Sequence, residues 1–65
     1  MIREKRLNMK MTQKELARKL RVDKSYISKI ENKQINNISL NLILKLSKIL
    51  ELDILELIDF LEIKK

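Results

Sequence analysis

Residues 13–32, Gln-Lys-Glu-Leu-Ala-Arg-Lys-Leu-Arg-Val-Asp-Lys-Ser-Tyr-Ile-Ser-Lys-Ile-Glu-Asn, constrain this chain more than any other stretch. They contain two short helical patterns that meet at a tight connection. Leu16, Ala17 and Leu20 share one face of the first helix, and Ile27 and Ile30 share one face of the second. Val22 lies between them as a plug. Thr12 and Glu15 form a Thr-x-x-Glu capping box that starts the first helix at Gln13, and Asp23 suits the N-cap of the second. Helices that cross steeply over so short a turn must approach closely. Ala17 is the small residue where a larger side chain would hold them apart.

The flanking segments add helices on either side. Ile2 to about Met9 predicts a first helix of about two turns, with Ile2, Leu7 and one of Met9 or Met11 turned inward. That is below the ~12–15 residues at which an isolated helix holds in water, so it must form by packing on its neighbours. Residues 34–38, Gln-Ile-Asn-Asn-Ile, carry a turn-favouring Asn pair and read as a loop. Ser39 caps a fourth helix, Leu40 to Leu50, with Leu40, Ile43, Ser47 and Leu50 on one stripe and Leu46 beside it. A fifth follows Asp53, which pairs with Glu56 as Asp-x-x-Glu. Its inner stripe is Ile54, Leu57, Ile58 and Leu61. The expectation is an all-α, compact five-helix single domain over residues 1–65.

Composition narrows the chemistry. A domain of 65 residues buries only about 60% of its unfolded surface, too little for a large enclosed active site. Without Cys or His there is no disulfide framework and no usual zinc site, and most acid–base or nucleophilic groups of small hydrolases are missing. A non-enzymatic cytoplasmic protein without metal or cofactor is expected. No apolar run nears the roughly 20 residues that span a bilayer, so no membrane partner is expected. Charge is divided unevenly. Residues 1–34 carry eleven Lys or Arg against four Asp or Glu, and residues 35–65 carry four against five. Such a basic half either solvates helix surfaces or faces a polyanion, and charge alone does not decide between them.

The Thr-Gln-x-Glu-Leu-Ala run from Thr12, Ala17, the apolar set at 16, 20, 22, 27 and 30, and Ser-Tyr-Ile-Ser-Lys-Ile-Glu-Asn together resemble the helix-turn-helix of the phage repressor and Cro family. Ile38 to Asp53 is similar to that family's fourth-helix segment, so the resemblance covers essentially the whole chain. It implies a lambda-repressor-like DNA-binding fold. Helices two and three would form the helix-turn-helix, and double-stranded DNA would be the partner.

On this resemblance the third helix, Lys24 to about Asn32, enters the major groove. With Ile27 and Ile30 buried, Lys24, Ser25, Ser28 and Lys29 occupy the opposite face and would meet base edges. Gln13, at the start of the second helix, would donate to a backbone phosphate, with Lys14 tracking the same strand. Tyr26 either gives its hydroxyl to a phosphate or packs half-buried beside the turn. Asn32 and Lys33 stand where the family holds a second phosphate. Relatives commonly place Gly at the positions of Lys10, Arg21, Lys33 and Glu51, and Pro at Ile38, yet this chain has no Gly and no Pro. A left-handed Arg21 would cost roughly 1–2 kcal/mol.

Leu42, Leu44, Ile49, Leu55, Phe60 and Ile63 fall off the inner stripes, and together would make a cohesive apolar surface. A two-fold homodimer through helices four and five is expected, reading a near-palindromic operator. The competing reading is a helical protein-interaction module, antitoxin-like or contacting RNA polymerase, that binds another protein partner through the same helices.

Overall fold

Local signals set the helix boundaries. The computed structural model describes residues 1–35 and 37–61, which form α1 (Ile2–Asn8), α2 (Gln13–Leu20), α3 (Lys24–Glu31), α4 (Leu40–Ile49) and α5 (Ile54–Leu61). Thr12 Oγ1 accepts from the Glu15 N–H at 3.0 Å while Glu15 Oε1 accepts from the Thr12 N–H at 2.9 Å, so the expected capping box is complete. Ser39 Oγ accepts from the Leu42 N–H at 3.2 Å and starts α4. The two aspartates do less. Asp23 occupies the N-cap of α3 in an extended conformation, but its side chain makes no capping bond. The box expected at Asp53 and Glu56 is reduced to one long bond, from the Leu55 N–H to Asp53 Oδ1 at 3.4 Å.

Helix ends follow one repeated device. Lys10, Arg21, Lys33 and Glu51 have φ of 55°, 59°, 58° and 54°, all left-handed, and none is glycine. Each precedes a residue whose N–H reaches back five positions. The bonds run from Met11 to Arg6 at 3.0 Å, Val22 to Ala17 at 3.0 Å, Gln34 to Lys29 at 2.8 Å and Leu52 to Ser47 at 2.9 Å. This is the Schellman pattern, which satisfies helix-end carbonyls by turning one residue left-handed. The four positions at which the resemblance implies Gly therefore keep the glycine geometry with a β-carbon present. Turn geometry is preserved at the expense of backbone strain.

Apolar residues from all five helices close over one core. Ile2, Leu16, Ile27, Ile30, Leu46, Leu50 and Leu57 are fully buried, and Ala17, Leu20, Ile38, Ile43 and Leu61 nearly so. None of the helices exceeds 10 residues, so this packing holds them rather than intrinsic propensity. Val22 and Tyr26 are half-buried against it.

Two stripes differ from expectation. On α1 the inner pair is Ile2 and Arg6, one turn apart, whereas Leu7 is 53% exposed and Met9 also faces solvent. Five residues from Ile2 carry the helix about 140° past the core-facing direction, so Leu7 points away once Ile2 is anchored. Met11, in the connection, packs on the core instead. On α4 the stripe is Leu42, Ile43, Leu46 and Leu50, and Leu40 is 63% exposed. Leu42 is 9% exposed and belongs to the chain's own core, not to a partner surface. Six of the ten residues of α4 are apolar and they spread over more than one stripe, so its periodicity admits several rotations. Ile38, just upstream, is buried in the same core.

Candidate nucleic-acid interface

The sequence places Gln13 at the first turn of α2 and Glu31 at the last of α3, and the fold brings these two helix ends together. Glu31 Oε2 accepts from Arg6 Nε at 2.6 Å, and Oε1 accepts from Gln13 Nε2 at 3.0 Å and Arg6 Nη2 at 3.4 Å. Arg6 Nη1 donates to the Met11 carbonyl at 2.8 Å. One carboxylate thus ties α1, the α1–α2 connection, α2 and α3. Both charges are nearly buried, so the attraction is little screened, and the added hydrogen bonds offset the desolvation each ion suffers. Gln13 is half-buried with one amide N–H given to Glu31. Its second N–H remains for an external acceptor.

Two surface clefts flank α3. The first, of about 670 Å³, lies at the junction of α1, α2 and α3, and is lined among others by Arg3, Lys10, Gln13, Lys14, Lys24 and Asn32. Asn32 Nδ2 donates to the Ser28 carbonyl at 2.9 Å, which fixes its amide beside the helix end. The second cleft, of about 680 Å³, separates α3 from α4. Ser25, Tyr26 and Lys29 face Asn37, Asn41 and Lys45 across it. Lys24, Ser25 and Lys29 are exposed and Ser28 is partly so, the arrangement that burial of Ile27 and Ile30 dictates. The ridge of α3 is polar and basic, with a polar wall on each side.

Lys33 departs from this face. Its ammonium lies 4.8 Å from the centroid of the Phe60 ring on α5, a cation–π contact, and its backbone N–H donates to the Ile30 carbonyl at 3.2 Å. The side chain and N–H expected to hold a phosphate thus each have a partner within the chain in this arrangement. Arg3, Lys10, Asn37, Asn41 and Lys45 line the clefts without having been singled out by the residue pattern. Asn41 and Lys45 are one helical turn apart on α4, opposite its buried stripe, and this spacing is a signal the sequence does carry.

A family model described as Helix-turn-helix matches residues 2–57. The chain belongs to that family, the phage repressor and Cro type. It is a DNA-binding helix-turn-helix regulator, with α2 and α3 as the motif and Ala17 of α2 buried in the core. No curated protein and no solved structure matches it. Among the described residues, no helix is long and apolar enough to cross a membrane.

Proposed function

We propose that the chain is a sequence-specific regulator of transcription that acts in the cytoplasm and inserts α3 into the major groove of double-stranded DNA. The observation that carries this reading is the exposed row Lys24, Ser25 and Lys29, set on a helix whose other side is anchored by Ile27 and Ile30. Lys24 and Lys29 would donate to guanine O6 and N7, while Ser25 and Ser28 would meet less discriminating base edges. Gln13, Lys14, Asn32 and the Tyr26 hydroxyl would contact phosphates and set the register. Lys33 stays among the proposed phosphate contacts and would give up its cation–π contact with Phe60, worth about 0.5–1 kcal/mol at an exposed site, to make it.

The regulator is proposed to act as a two-fold dimer on a near-palindromic operator. Leu55, at 72% exposure, and Leu44 are the exposed apolar residues this dimer would cover, together with half-buried Ile49 and Phe60. Ile63 lies outside the described residues. The same exposed leucines support a second reading, in which they bind a different protein, such as a toxin or a polymerase subunit, and DNA binding is weak.

Fluorescence anisotropy with two duplexes, one from upstream of the chain's own gene and one scrambled, tests the proposal at low and physiological salt. Preference for the upstream duplex that survives physiological salt is expected. Equal binding that vanishes with salt would reject sequence-specific recognition of this operator and favour the protein partner.

A further inference from the structure

We propose that Lys10, in the connection between α1 and α2, is a phosphate-contacting residue of the DNA face. This rests on the reading of that face given above and extends it by one residue.

Lys10 sits at φ 55°, where a β-carbon is unfavourable and Gly or Asn would be more comfortable. Its backbone is firmly held. Its N–H donates to the Leu7 carbonyl at 2.9 Å, and the next residue, Met11, donates to the Arg6 carbonyl and accepts from Arg6 Nη1. Arg6 is in turn locked to Glu31. The root of the Lys10 side chain is therefore fixed to the same buried ion pair that holds Gln13.

Location separates Lys10 from the other basic left-handed residues. Lys10 lines the cleft shared by Gln13, Lys14, Lys24 and Asn32. Neither Arg21 nor Lys33 lines a cleft beside α3, and the Lys33 ammonium lies over Phe60. The cleft's one acidic lining residue, Glu31, is already paired with Arg6, and among the described residues Lys10, Lys14 and Lys24 form no ion pair. The cleft is thus a concentration of uncompensated positive charge beside an amide donor, and a backbone phosphate supplies the complement.

Strain and charge at this position pull in opposite directions, which gives the test its discrimination. Salt titrations of a fluorescein-labelled duplex would be compared for wild type, Lys10→Gly, Lys10→Asn and Lys10→Arg, with thermal melts of each chain. Lys10→Gly should melt higher than wild type yet bind roughly three- to tenfold more weakly, with the slope of log affinity against log salt reduced by about 0.9, one phosphate contact. Lys10→Asn should repeat the loss and Lys10→Arg should restore binding. Glu51→Gly, which relieves the same strain in the α4–α5 connection, should raise the melting temperature and leave the slope unchanged. An unchanged slope in Lys10→Gly and Lys10→Asn, with wild type binding, would overturn the role of Lys10 alone. A wild-type chain that bound no duplex would overturn the DNA reading and this residue's part in it together.

Discussion

Arg6 Nε and Glu31 Oε2 lie 2.6 Å apart, 25 positions apart in the chain, with their side chains only 7% and 3% exposed. This pair is the polar centre of the fold, because it joins the first helix to the end of the third and passes a hydrogen bond on to Gln13. Removing one partner leaves the other charge buried. Glu31→Ala should cost about 3–5 kcal/mol, enough to unfold much of a domain this small. Replacing both partners, as Arg6→Met with Glu31→Leu, should recover most of that loss in denaturant melts. If the double variant were no more stable than the single one, the cost would not lie in the stranded charge.

Left-handed strain should be removable where no contact depends on the side chain. Arg21→Gly and Glu51→Gly are each expected to add about 1 kcal/mol, which in a domain of this size raises the melting temperature by about 4–8 °C. Circular dichroism melts check it. A lower melting temperature in both would mean that these backbones are not strained.

Glu15 links stability to pH. Its carboxyl is held below the usual carboxylate range by the Thr12 backbone N–H first, then the Thr12 hydroxyl, with help from Arg18 and Lys19. A lowered folded value means the stabilisation is present above the unfolded value of about 4.3 and disappears as pH falls through the folded one. Wild type should therefore melt above Glu15→Gln at neutral pH, and the gap should close in acid. A gap constant from pH 7 to pH 3 would exclude ionisation of Glu15 as its source.

Leu42 and Leu55, both off the expected stripes, should separate into two roles. Leu42→Ala should cost about 2–5 kcal/mol, because it opens a cavity in the core. Leu55→Asp should leave the melting of the isolated chain nearly unchanged and abolish self-association in sedimentation at tens of micromolar. Wild-type monomer at that concentration would argue against the homodimer.

Short-range physics made the helices legible. Spacing of apolar residues marked all five, and Thr12 with Glu15 and Ser39 marked two starts, the first of them at Gln13 to the residue. The helix-turn-helix likewise followed from Ala17, Val22 and the isoleucines of α3, because a tight crossing admits few side chains. These are local properties, set within a turn or two of helix. What lay beyond them was decided by long-range contacts. The rotation of α4, which buries Leu42 and exposes Leu40, is ambiguous in a helix whose six apolar residues fit more than one stripe and is settled only by what it packs against. The burial of Arg6 in place of Leu7, the Arg6–Glu31–Gln13 network and the turning of Lys33 onto Phe60 each join distant positions. No periodicity within a helix can encode such pairings. Tertiary structure fixes them by bringing the groups within hydrogen-bonding or cation–π distance, and for Arg6 and Glu31 in a site where water no longer competes.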